Sequence, residues 1–249
     1  LNSIFSLGLG TMEMVKMAQM AEHEFAGVKC GIMDQFAVMF GKKDSVMRLD
    51  CRSLDFDYEN LKLDNYSILL CDTGVKHSLA SSEYNNRRQE CEHGVAVVSK
   101  HFPGIFSLRD VSLEQLQYCS GELSKRTFDQ CSYVIEENIR LNNACIALEN
   151  NDLKTLGQMI YASHEGLKTK YEVSCPELDT LVEIARSTEG VIGARMMGGG
   201  FGGCTINIVH NEALENFEDK IRNGYYLPTG KPENIIKVAI SDGTSEIYL

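Results

Sequence analysis

The chain has 249 residues, 43% of them hydrophobic and 24% charged, the balance of a globular protein rather than a disordered or fibrous one. A formal net charge of −11 argues against nucleic acid as a partner, because a phosphate backbone rewards cationic surfaces. No apolar run is long enough to span a membrane and no secretory leader is visible. Nine cysteines without a C-x-x-C pair read as free thiols of a reducing, cytoplasmic compartment rather than as disulfides or a zinc site.

Residues 1–8 read as the last two turns of a helix closing on Gly8, a common helix stop, so the sequence implies residues upstream of Leu1. Residues 11–25 carry one apolar stripe (Met14, Met17, Ala18, Ala21, Phe25) and stop at Gly27, the pattern of an amphipathic helix. The segment CGIMDQFAVMFG at 30–41 is apolar except for Asp34 and Gln35. Strands are expected at 45–50 and 66–72. A loop at 73–77 leads to a helix capped by Ser81 or Ser82 and running to about residue 101. Helices follow at 112–123, 125–149, 152–170 and 175–187. The chain then reads strand, glycine loop, strand over 190–209, a helix at 211–223, a polar loop with Pro228 and Pro232, and strands near 235–240 and 244–249. Strands set apart from a helical block make the fold class α+β, with a boundary near residue 65.

The stretch GARMMGGGFGGC at 193–204 concentrates glycine. Gly198, Gly200 and Gly203 satisfy G-x-G-x-x-G, but a dinucleotide fingerprint needs a helix after the glycines. Residues 204–209 alternate and are β-branched, which is a strand. The Walker pattern needs lysine where Cys204 stands, and the motifs that accompany a protein-kinase glycine loop are missing. The residues therefore describe a glycine-lined strand–loop–strand packed against a neighbour.

Asp34 sits in an apolar run, so it is expected to be shielded from water. It either caps the helix beginning at 36–40 or is placed to accept a proton; on pattern alone the cap is favoured. Glu22 reads as a solvated helical glutamate, with magnesium ligation as the alternative. Lys76, His77 and Tyr84 follow a strand end, and the Tyr84 ring and hydroxyl could serve a sugar or simply pack. Arg87, Arg88, Glu90 and Glu92 read as a solvated helical face. His164-Glu165 does not complete H-E-x-x-H, because Lys168 holds the last position.

Four blocks taken together resemble the galactokinase family of the GHMP kinase superfamily: CGIMDQF at 30–36, LDCRSL at 49–54, VKHSLASSEYNNRRQEC at 75–91 and GARMMGGGFGGCT at 193–205. The resemblance implies an α+β fold with a partial N-terminal GHMP kinase domain at 1–65 and a ferredoxin-like C-terminal domain at 66–249, the active site lying between them. It implies transfer of the γ-phosphoryl of ATP, with Mg2+, to the C1 hydroxyl of galactose. By resemblance Asp34 is the base, Glu22 the magnesium carboxylate, and Gly31 and Tyr84 sugar contacts. Gly198, Gly199, Gly200 and Gly202 are then supports of the nucleotide site rather than its phosphate cradle. The family's N-terminal signature and its glycine- and serine-rich phosphate motif do not occur in the 249 residues, which implies a C-terminal portion inactive alone. A kinase for a related sugar such as N-acetylgalactosamine, and a non-catalytic sensor of galactose and ATP, are the alternatives.

Overall fold

The computed structural model describes residues 1–75 and 80–246, the backbone alone at 80–82. The chain divides into two compact units, Leu1–Lys62 with Ile240–Leu249, and Leu63–Ala239.

In the first unit the opening segment is hydrogen-bonded as a helix end: Phe5 N donates to Leu1 O at 2.9 Å, Leu7 N to Asn2 O at 3.0 Å and Ser6 N to Ser3 O at 3.2 Å, with Ser6 at φ +51° as its left-handed residue ahead of the expected Gly8. The Asn2 side chain exchanges two hydrogen bonds with the Leu9 backbone, tying this turn to the start of the next helix. Helix α1 (Thr11–Ala21) follows Gly10, whose N–H is taken by Glu13 Oε2 at 2.7 Å, satisfying one of the donors a helix start leaves open. It widens into a π-type turn over Glu22–Ala26 and stops at Gly27 with φ +70°, the left-handed cap that glycine adopts without strain. Helix α2 (Met33–Phe40) comes next. Strands β1 (Ser45–Leu49) and β2 (Phe56–Asn60) pair antiparallel, Ser45 opposite Asn60 and Leu49 opposite Phe56. Val15, Ile32 and Phe36 form the core, with the Phe36 ring stacked 4.5 Å from Phe40 and edge-on to Phe56 at 5.1 Å. Residues 240–246 belong here as well: Gly243 N donates to Gly41 O and Thr244 N to Val38 O, both at 2.8 Å. The strand expected at 244–249 is absent over 244–246, and 247–249 lie outside the described residues.

The second unit is built on an antiparallel sheet of β3 (Tyr66–Asp72), β4 (Val191–Met196), β5 (Cys204–His210) and β6 (Ile235–Val238). Its spatial order is β4-β5-β3-β6, the ferredoxin-like split arrangement. Between β3 and β4 stand α3 (Ala80–His101), α4 (Leu113–Tyr118), α5 (Lys125–Glu149), α6 (Leu153–Thr169) and α7 (Pro176–Arg186); α8 (Leu214–Ile221) lies between β5 and β6. Side chains of Ser112, Ser124 and Asp152 accept backbone N–H groups at the starts of α4, α5 and α6, and Pro176 opens α7, where its missing N–H costs nothing. The helix expected at 112–123 breaks at Tyr118 and resumes as a tight turn over Ser120–Glu122. The one expected at 211–223 divides into a tight turn, α8 and a wide turn. Leu69, Cys71, Ala194 and Val209 of the sheet pack on Leu181, Val182 and Ala185 of α7 and on Phe217 and Ile221 of α8. Each of the larger side chains contributes about 1.5–3 kcal/mol by leaving water. Among the described residues no helix is long and apolar enough to cross a membrane.

Candidate functional site

The sequence-predicted residues fall in both units. In the first, Cys30 O accepts from His23 Nε2 at 2.8 Å and from Gln19 Nε2 at 3.3 Å, so α1 and its wide turn hold the segment that leads into α2. Ile32 is the N-cap of α2 and Asp34 lies in its first turn. Asp34 is exposed, which corrects the expectation of a shielded carboxylate. The buried face of this helix is set by Ile32 and Phe36; position 34 lies about 200° round the axis from 32 and points away. Nor is Asp34 the cap: the N-cap is Ile32, two residues earlier than the sequence suggests. Its charge sits where the helix N-terminus favours an anion.

Glu22 opens the wide turn and is exposed. Gly31 is exposed too, and a Cβ built on it would meet no atom within 4 Å. Neither crowding nor a positive φ within the unit accounts for glycine at this position. Among the described residues there is no group of three His, Cys, Asp or Glu side chains able to cage a metal. Magnesium ordinarily takes one or two carboxylates and fills its shell with phosphate oxygens and water, and an exposed Glu22 fits that kind of site.

In the second unit the glycine loop joins β4 to β5 as strand–loop–strand. Gly198, Gly200, Gly202 and Gly203 have φ of +72°, +87°, +143° and +77°, angles an L side chain rarely adopts. Met197 N donates to Cys204 O at 3.0 Å and closes the base of the loop. Thr73, just past β3, gives both its N–H (2.9 Å) and its Oγ1 (2.8 Å) to Gly203 O. On the other side Phe201 N donates to Val173 O at 2.7 Å. Half-buried Tyr84 approaches the crest: its Cδ2 lies 3.6 Å from where a Gly199 Cβ would stand. The loop is packed between neighbours, as its glycine content implies. Lys76 and His77 lie outside the described residues.

Arg87 departs from its sequence reading. It is 4% exposed, not part of a solvated face. Nε donates to Tyr171 O at 2.8 Å, Nη2 to Glu172 O at 2.9 Å and Nη1 to Glu83 Oε2 at 3.1 Å. Its guanidinium carbon lies 5.8 Å from the centre of the Phe201 ring. The turn at 171–173, with Glu172 at φ +55°, leaves carbonyls that need a donor, and a planar guanidinium reaches two of them at once. His164 completes no zinc motif, and the sequence assigns it no other role. It is buried on α6, and its Nδ1 accepts from Met196 N at 3.3 Å.

A split βαβ sheet whose central hairpin carries a packed glycine loop is the C-terminal architecture of one kinase class. The family described as GHMP kinases C terminal matches residues 145–227, and the GHMP kinases N terminal domain matches residues 1–42. A mevalonate kinase from L. major, at 19% identity and a TM-score of 0.56 over 98% of this chain, shares the fold.

Within that class the similarity narrows. Galactokinases of Clostridium beijerinckii and Thermotoga petrophila are 41% and 42% identical, each over 99% of this chain. A crystal structure of Lactococcus lactis galactokinase complexed with galactose matches with a TM-score of 0.94 at 31% identity over 99% of this chain. The chain belongs to the galactokinase family. It spans 64% of the Clostridium protein, 68% of the Thermotoga protein and 64% of the Lactococcus chain.

Proposed function

We propose that this chain carries the sugar- and base-bearing part of a galactokinase, which transfers the γ-phosphoryl of MgATP to the C1 hydroxyl of galactose. The observation that carries the reading is Asp34, an exposed carboxylate on the first turn of α2, three residues after Gly31, whose missing side chain nothing in the unit requires. A bare glycine backbone lets a hydroxyl-rich ligand approach, and Asp34 accepts the proton of the attacking hydroxyl. Gly31 and Tyr84 contact the sugar. Gly198, Gly199, Gly200 and Gly202 support the nucleotide site from the loop. Glu22 would hold Mg2+ together with phosphate oxygens, the ion supplying charge neutralisation for the moving phosphoryl group. Such transfers depend mainly on alignment, and a general base adds roughly 10²–10⁴-fold. A reducing, cytoplasmic setting suits nine unlinked cysteines.

The test joins this chain to the N-terminal segment of the Clostridium beijerinckii galactokinase and measures sugar-dependent ADP release. Galactose is expected to be the preferred acceptor. Asp34→Asn is expected to lower turnover by about 10²–10⁴-fold while galactose still binds. Undiminished turnover in the variant removes Asp34 from the role, and a folded fusion that phosphorylates N-acetylgalactosamine but not galactose overturns the substrate.

A further inference from the structure

Strand β4 is an edge of the four-stranded sheet, so the N–H and C=O groups on its outer side have no strand to pair with. Edges left open in this way are covered or capped in native proteins. Here α6 lies along β4. At one end Gly157 comes so close that a Cβ on it would fall 1.9 Å from Ile192 O. Seven residues on, two turns along the same face, His164 reaches the last residue of the strand. Its Nδ1 accepts from Met196 N at 3.3 Å. With Nδ1 an acceptor, the neutral ring carries its proton on Nε2. Nε2 stands 3.3 Å from Asp179 Oδ1 of α7, near enough for attraction but out of line for a hydrogen bond. Asp179 is itself fixed, Oδ1 accepting from Ser174 Oγ at 2.6 Å and Oδ2 facing Lys168 Nζ at 3.4 Å. The charged groups acting on the imidazole are thus Asp179, Lys168 and Glu165, with Arg195 of β4.

We propose that His164 is a positioning residue for the glycine loop: as the Nε2–H tautomer it holds the amide of Met196, the last strand residue before Met197-Gly198, and so sets the angle at which the loop leaves the sheet. Its consequence for nucleotide binding rests on the function proposed above; its structural content does not. Protonation would turn the acceptor into a donor facing another donor, and the loop would lose its anchor on that side. The Met196 side chain, fully buried beside Tyr133, Leu167, Val173 and Leu178, keeps the strand in place, so the effect is confined to backbone direction.

The test compares His164→Asn with His164→Gln in the 249-residue chain. The Asn carbonyl oxygen occupies the place of Nδ1, whereas the Gln amide reaches only the place of Nε2. Amide hydrogen exchange at Met196 and at the loop glycines is expected to stay near wild type in His164→Asn and to rise about fivefold or more in His164→Gln. A merely space-filling histidine would reverse that order, because Gln is the closer match in volume. Ring 15N shifts at pH 7 are expected to show neutral His164 protonated on Nε2. The opposite tautomer, an imidazolium, or equal exchange in both variants overturns the proposal. In the fusion with turnover, His164→Gln is expected to raise KM for ATP severalfold with kcat nearly unchanged. If exchange behaves as expected but KM does not move, the positioning of the loop stands and its role in nucleotide binding falls.

Discussion

Gly200 and Val173 approach so closely that a Cβ on the glycine would stand 2.1 Å from the Val173 carbonyl oxygen. That oxygen already accepts the Phe201 amide at 2.7 Å, so it cannot retreat without breaking the bond that seats the loop. Gly200 also has φ +87°. The Gly200→Ala variant is therefore expected to lose about 2–4 kcal/mol, left-handed strain and overpacking adding. Gly198 shares the positive φ but has open space around it, and Gly198→Ala is expected to cost about 1 kcal/mol. Urea unfolding of the two variants measures the difference; equal losses would mean that crowding at Val173 is not what glycine serves.

Arg87 carries the same wall of the loop from behind. Replacing it by leucine strands the carbonyls of Tyr171 and Glu172, which it holds at 2.8 and 2.9 Å. Hydrogen bonds to a charged group contribute about 1.5–3 kcal/mol net, and leucine still fills part of the space, so Arg87→Leu is expected to destabilise by about 2–4 kcal/mol. Lysine keeps the charge but cannot fork, and Arg87→Lys is expected to recover less than half of that loss. Denaturant midpoints of the pair decide; full recovery by lysine would assign the effect to charge alone.

The sequence shows the loop more readily than it shows what holds it. Strand alternation after Cys204 places the glycines in a hairpin because side-chain periodicity is local. The partner of that hairpin, the 171–173 turn braced from α3, is fixed by contacts some eighty residues apart, as in Arg87 to Tyr171. No local pattern distinguishes such an arginine from Arg88, which pairs with Glu92 on the exposed face. Asp34 fails for a related reason. An apolar run predicts burial on average, but a helix buries only one side, and Ile32 and Phe36 took it. Strand β2, which the expected elements do not include, has a local signal: Phe56 and Tyr58 alternate with Asp57 and Glu59, and the hairpin pairs them with Leu49 and Met47. The return of residues 240–246 to the first unit has no local signal, being made of backbone bonds such as Thr244 N to Val38 O.

Burial sorts the thiols. Cys71 in β3 is inaccessible, and desolvation, with lesser opposition from a Thr205 hydrogen bond, pushes its pKa up to about 12. At pH 8 its thiolate fraction is about 10⁻⁴. Cys51, between β1 and β2, is exposed. Iodoacetamide at pH 8 is expected to modify Cys51 in the native protein and to reach Cys71 only when urea is added. Peptide mass spectrometry reads both, and early alkylation of Cys71 would show that the sheet core opens locally.

The buried histidine gives the chain a pH dependence of definite sign. In the folded protein the His164 pKa is lowered, first by burial and further by Lys168 and Arg195, against the opposing pull of Asp179 and Glu165. In the unfolded chain it titrates near 6.5. As pH falls below about 6.5 the unfolded state takes up a proton that the folded state refuses, so stability falls with falling pH. The contribution is complete above that value and is lost as pH drops through the lowered folded pKa. One such group bends the stability curve by at most about 1.4 kcal/mol per pH unit. Unfolding free energies from pH 8 to 5.5 are expected to fall more steeply in the wild type than in His164→Asn, which has nothing to titrate there. Carboxylates elsewhere act alike on both proteins and cancel in the comparison. Parallel curves would mean that His164 is already charged, or already solvated, in the native state.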